Sequence, residues 1–120
     1  MLINLSNHPS ARWPEEQLKA AVNLFGDVID LPFPNIDPEW DTSRVAALAG
    51  EYAGRCNGML TGEDNHAVHI MGELTFTHHF VNHAKTLEIH CVASTTSREV
   101  RTNDVGEKVS TFKFVKFRNY

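Results

Sequence analysis

The sequence predicts an α/β fold, an open sheet of four parallel strands with helices on both faces, extended at one edge by a C-terminal antiparallel β-hairpin. Short apolar runs of strand type alternate three times with longer segments of i, i+3, i+4, i+7 spacing, the pattern of βαβ units. Beyond residue 97 the chain turns β-rich around a turn at Asn103 to Gly106, which reads as a hairpin. Its 120 residues, 42% hydrophobic and 22% charged, suit one globular domain over 1–120, with 97–120 as the hairpin.

Each element has a local reason. Met1 to Ser6 (MLINLS) is the first strand. After a polar turn, Pro14 opens a helix because its missing N–H is not needed there, and Glu15 and Glu16 face the positive end of the helix dipole. Leu18, Ala21, Val22 and Phe25 form its expected buried stripe, and Gly26 ends it. Val28 to Leu31 is the second strand. The loop PFPNIDPEW follows, its three prolines excluding helix or central strand. Asp41 or Thr42 caps a second helix with inward Val45, Leu48, Ala49, Tyr52 and Cys56. Gly50 and Gly54 lie on that helix, where another backbone could approach, and Gly58 to Asn65 reads as a loop. Ala67 to Met71 is the third strand, and Gly72 turns the chain. Glu73 to Leu87 is a third helix through Leu74, Phe80, Val81 and Ala84, and Ile89 to Ala93 is the fourth strand.

Composition excludes several classes of function. No apolar run approaches the ~20 residues of a membrane helix, and MLINLSNHPSARW lacks the basic flank of a secretory signal, so a cytoplasmic protein without membrane contact is expected. Cys56 and Cys91 have no zinc-ligand spacing and are expected to be reduced, Cys91 in the core. A net charge of −4 argues against a duplex nucleic-acid partner, which demands a broad basic surface. The charge is uneven, however. Residues 1–93 carry 5 Lys/Arg against 12 Asp/Glu, whereas residues 94–120 carry 6 against 3. A small anionic partner should therefore meet the C-terminal segment.

In open α/β sheets ligands bind beyond the carboxyl ends of the strands, so function is sought in the turns after residues 6, 31, 71 and 93, three of which carry candidate chemistry. Ser6-Asn7-His8-Pro9 offers a hydroxyl, an amide and an imidazole, without the glycines of a dinucleotide fingerprint; its bland alternative is a turn that merely ends a strand. Gly72 and Glu73, with Thr75, open a helix where free N–H groups can hold phosphate and a carboxylate can accept from a ribose or an adenine amine. A helix start with a dipole-matching Glu accounts for them equally well. Ser94-Thr95-Thr96-Ser97-Arg98 aligns four hydroxyls with a guanidinium able to bind phosphate bidentately, or is a polar turn into the hairpin.

Metal and hydrolase chemistry find less support. His79 and His83 are one helical turn apart, but no HExxH or matching carboxylate accompanies them, and an exposed polar face explains them. His69 and His90 fall within strands as hydrogen-bonded core or edge residues. In VSTFKFVKFRNY, phenylalanines alternate with cations; they either stack bases and neutralise phosphate, or face the core beneath a charged edge.

Four stretches, LINLSNHPS, HIMGELTFT, CVASTT and FKFVKFRNY, resemble a family of small CRISPR-associated proteins of type III systems, related to the Rossmann-like CARF domains that bind cyclic oligoadenylates. The resemblance covers most of the chain. It implies a Rossmann-like domain acting as a ring nuclease, which cleaves cyclic tetra-adenylate and switches off antiviral signalling. Cleavage would be attack of a ribose 2′-hydroxyl on the adjacent phosphate, with no metal or cofactor, in a homodimer that meets the ring's symmetry. On this basis Ser94, Thr95, Thr96 and Arg98 are assigned to phosphate, Asn7 and His8 to the scissile ribose beside Ser6, and Gly72, Glu73 and Thr75 to the nucleoside. His8 and Arg98 are the catalytic candidates, His8 as general acid or base. The alternative is a non-catalytic sensor or sponge for the same ligand. A third reading is an interaction protein using the Gly50 and Gly54 face or the β-rich tail.

Overall fold

A computed structural model describes residues 1–62 and 65–120. The chain forms β1 (Leu2–Ser6), a short 3₁₀ turn (Ser10–Arg12), α1 (Glu15–Phe25), β2 (Val28–Asp30), α2 (Thr42–Met59), β3 (Ala67–Met71), α3 (Leu74–Thr86), β4 (Cys91–Thr102) and β5 (Lys108–Asn119). Glu63 and Asp64, inside the loop expected over Gly58–Asn65, lie outside the described residues. The fold is mixed α/β with one five-stranded sheet of order β2-β1-β3-β4-β5. Neighbours from β2 to β4 are parallel, and β5 runs antiparallel to β4.

The expectation of four parallel strands followed by a separate hairpin is corrected here. The fourth parallel strand and the first arm of the hairpin are one strand of 12 residues, Cys91–Thr102. Ser94 to Ser97 do not turn, because each finds a partner across β5, from Ser94 opposite Phe117 to Ser97 opposite Lys113. Threonine and its neighbours suit a pleated strand as readily as a turn when a ladder is offered.

Strand alternation divides the core between the two faces. Ile3, Leu5, Val68, Ile70 and Cys91 pack with Val45, Ala49, Ala53 and Cys56 of α2 and with Phe76, Phe80, Val81 and Ala84 of α3. Leu2, Ala67 and Val92 look the other way, toward Trp13 and toward Ala21 and Phe25 of α1. Two helices thus cover one face and a single helix the other. One helix is about 10–12 Å wide, whereas five strands at about 4.8 Å span roughly twice that, so part of the second face stays open.

Two apolar stripes differ from expectation. On α1 the buried residues are Gln17, Ala21 and Phe25, while Leu18 and Val22 are 39% and 50% exposed. On α3, Phe76 is buried and Leu74 is 83% exposed, because Glu73 caps the helix and turns position 74 outward. Asp41, not Thr42, caps α2 by accepting from the Arg44 N–H. Gly26 ends α1 with φ +83°, as its position predicted. No helix among the described residues is long and apolar enough to cross a membrane.

Candidate functional site

The strand order reverses between β1 and β3, so the chain leaves their carboxyl ends toward opposite faces and opens a crevice there. A cavity of about 600 Å³ occupies this place on the α1 face. Its lining includes Ser6, Asn7 and His8 after β1, Met71 and Gly72 after β3, and Ser94 and Thr96 on β4. Residues from all three segments chosen from the sequence, two turns and the Ser94–Thr96 stretch of β4, therefore contribute to one cavity. Its walls are Trp13, Phe112 and Phe114, with Arg12 and Gln17 completing them.

The aromatic wall depends on a β-bulge. Thr95 pairs with Lys116 but Thr96 with Phe114, so Val115 is an extra residue in β5. Side chains alternate along a regular strand, and the extra residue resets that parity. Phe117 opposite Ser94, Phe114 opposite Thr96 and Phe112 opposite Arg98 consequently share the cavity's side of the sheet. The basic–aromatic tail is thus a wall at one end, where Phe114 is buried, and an open surface at Phe112, 68% exposed.

A row of polar side chains in register across three strands, Asp30 beside Asn4 and Asn4 beside His69, forms a floor shared by this cavity, which His69 lines, and an adjoining one of about 340 Å³, which Asn4 and Asp30 line. Asn4 Nδ2 donates to Asp30 Oδ1 at 2.8 Å and to the His8 carbonyl at 2.9 Å. Asn4 Oδ1 lies 2.8 Å from Ser6 Oγ and 2.9 Å from His69 Nδ1. His69 Nε2 lies 3.1 Å from Ser94 Oγ. The His69 ring, 2% exposed, sits edge-on to Trp13 and Phe117 at centroid distances of 5.3 and 5.6 Å. Burial, with some repulsion from nearby His8, pushes its pKa down to about 4, so it is neutral at pH 7 and a weak base. Asp30 is held below the ordinary carboxylate range: burial pulls it up, but hydrogen bonds from Asn4 and Ser10 outweigh that.

The turn after β1 is fixed through its backbone. The His8 carbonyl accepts from Asn4 Nδ2 and from Trp13 Nε1 at 3.0 Å, and the His8 N–H donates to Ser6 Oγ at 3.2 Å. The His8 imidazole remains exposed at the cavity.

Four candidates do not line this cavity. Glu73 accepts from the backbone N–H groups of Thr75 and Phe76 and from Thr75 Oγ1, so both residues form the cap of α3. Thr95 points away from the floor and bridges the bulge, its hydroxyl donating to the Lys116 carbonyl and accepting from the Lys116 N–H. Arg98 lies four residues beyond Ser94, about 13 Å along the strand, where its guanidinium donates to Ser110 Oγ at 2.9 Å. Gly72 lines the cavity for a different reason from the one expected. A Cβ there would lie 2.3 Å from the Phe33 ring, so the missing side chain admits Phe33 of the proline loop.

Sequence reasoning missed Arg12, which brings a guanidinium to the cavity, did not single out Asn4, and read His69 only as a hydrogen-bonded core or edge residue. The available signal was polar residues two apart, Asn4 and Ser6 on the first strand and Ser94 and Thr96 just after the fourth, with His69 on the third. Elsewhere His83 fills the space beside Gly50, 3.1 Å from a Cβ built there, and the row around Gly54 is open. Cys56 and Cys91 are free and buried, and burial raises their thiols to about 11 and about 12. Among the described residues no group of three or more His, Cys, Asp or Glu is placed to hold a metal ion.

The Uncharacterized protein MJ1673 family matches residues 1–118. No curated protein and no solved structure matches the chain.

Proposed function

We infer the function of this chain, which belongs to the Uncharacterized protein MJ1673 family, from the cavity at its strand ends: it binds cyclic tetra-adenylate as a homodimer and cleaves the ring, a type III CRISPR-associated ring nuclease on a Rossmann-like domain. The observation that supports this reading is the convergence of the turns after β1 and β3 with the Ser94–Thr96 stretch of β4 on one aromatic-walled cavity, lined also by the exposed side chains of His8 and Arg12. Trp13, Phe112 and Phe114 offer stacking faces to bases, and Arg12 offers charge to phosphate. About 600 Å³ is the size of a site for one small ligand rather than for a macrocycle of four nucleotides. A second protomer related by a two-fold axis would present a second such cavity to the other half of the ring.

In the cleavage step a ribose 2′-hydroxyl oxygen attacks the adjacent phosphorus as the P–O5′ bond breaks, leaving a 2′,3′-cyclic phosphate and a 5′-hydroxyl. The 2′-hydroxyl proton leaves to a base, and the departing oxygen takes one up. His8 is the residue for these transfers, since its imidazole is at the cavity and an imidazole can both accept and give a proton. The rest of the acceleration would come from holding the ring in an in-line shape.

A second reading, sequestration without cutting, is favoured by the position of Arg98, which leaves His8 alone of the two catalytic candidates at the cavity. Incubation of the purified protein with cyclic tetra-adenylate in EDTA decides between them. Linear di-adenylate products that fall at least tenfold in rate in His8→Ala are expected. Intact ring recovered from a stable complex establishes the sponge, and no binding at all removes both readings.

A further inference from the structure

The hydrogen bonds of the cavity floor have a direction, and it can be followed from one end. Asp30 and the His8 carbonyl are acceptors only, so the Asn4 group facing both of them at 2.8 and 2.9 Å is its NH₂. Its Oδ1 therefore faces Ser6 and His69 and, as an acceptor only, takes its hydrogen bond at His69 from the ring Nδ1. The neutral His69 ring then carries its proton on Nδ1, and its Nε2 presents a lone pair to Ser94 Oγ. A serine hydroxyl has one proton. That of Ser94 goes to His69, whose ring nitrogen is a stronger acceptor than the Met71 thioether sulfur, 3.0 Å from the same oxygen. Ser6 is committed likewise: its proton goes to Asn4 Oδ1 at 2.8 Å or to the His8 carbonyl at 3.1 Å.

We propose that Ser94 is a specificity-determining residue of the cavity: its oxygen, with only lone pairs left to offer, accepts a hydrogen bond from the exocyclic amine of an adenine and turns phosphate away from the floor. The proposal rests on the ring-binding reading above for the identity of the ligand, and on the floor geometry alone for the polarity. It reverses the role given to Ser94 from the sequence, where its hydroxyl was a donor to phosphate. On this assignment phosphate meets Arg12, and a base meets the aromatic wall beside Ser94. Hypoxanthine, which carries a carbonyl oxygen where adenine has its amine, sets acceptor against acceptor at Ser94. Leaving buried polar atoms facing without a shared proton is the device by which binding sites reject near-isosteric ligands.

Two measurements test this. The first needs no ligand: ¹⁵N chemical shifts of His69 at pH 7 are expected to place the proton on Nδ1, and a proton on Nε2 overturns the proposal, because Ser94 would then be free to donate. The second compares dissociation constants for cyclic tetra-adenylate and cyclic tetra-inosinate by calorimetry. The parent is expected to prefer the adenylate ring by at least about tenfold. Ser94→Ala should bring the two within about threefold by weakening only the adenylate ring; a general loss of folding would weaken both alike. Equal affinities in the parent, or a preference that survives Ser94→Ala, overturn the proposal while leaving ring binding intact. Binding of neither ring overturns ring binding and this proposal together.

Discussion

His69 is the residue whose surroundings most change its chemistry. Burial against Trp13 and Phe117 moves its pKa from 6.5 to about 4, so the unfolded chain takes up a proton that the folded chain refuses throughout that interval. The sign follows directly. Stability is complete above pH 6.5 and falls as the pH drops from 6.5 toward 4, by about 3 kcal/mol for a shift of this size. Urea unfolding across that range should show the loss in the parent and a flatter profile in His69→Gln; a flat profile in the parent would contradict the assigned burial. Little of this was visible in the sequence. A histidine within an apolar strand is an ordinary observation, and only the in-register pairing of Asn4 with His69 turns two scattered polar residues into one floor.

At the scale of elements, the helices were legible where local chemistry fixes their ends and less so where tertiary packing chooses the inward face. Asp41, Gly26 and the Asn103–Gly106 turn act where their types predicted, since caps and turns are decided within a few residues. The α1 stripe was misread because Leu18 and Val22 are as apolar as any core residue, yet α1 lies on the sheet through Gln17, Ala21 and Phe25. The Val115 bulge was hidden because the spacing of two and then three residues between Phe112, Phe114 and Phe117 violates a simple two-residue period. Glu73 is legible as a helix opener, and the structure gives it that role through three hydrogen bonds within its own first turn. Glu73→Ala should accordingly lower stability by about 1 kcal/mol in chemical denaturation, whereas a change below a few tenths would remove the cap from the account of α3.

The whole molecule is more extended than its length requires. Its radius of gyration is 16.1 Å, against about 14 Å for a compact domain of 120 residues, because the outer halves of β4 and β5 project from the body. Val100, Val109, Phe112 and Val115 are exposed along this arm, which is also the region with the positive charge balance. The overall α/β class and strand sequence were legible from periodicity. The arm was not, since nothing local distinguishes one long strand from a short strand followed by a turn. If the ring is shared between two protomers, the species saturated with cyclic tetra-adenylate should sediment at twice the chain mass of 13.5 kDa; a liganded species at the mass of one chain would exclude the shared site.

The unbroken course of β4 also joins the arm to the cavity. Its inner end is bolted into the parallel ladder at Cys91 and Val92, its outer end carries the arm, and Ser94 and Thr96 sit between them. The arm and the Ser94 side of the cavity are thus two stretches of one strand, and the Val115 bulge is the single break in pairing between them.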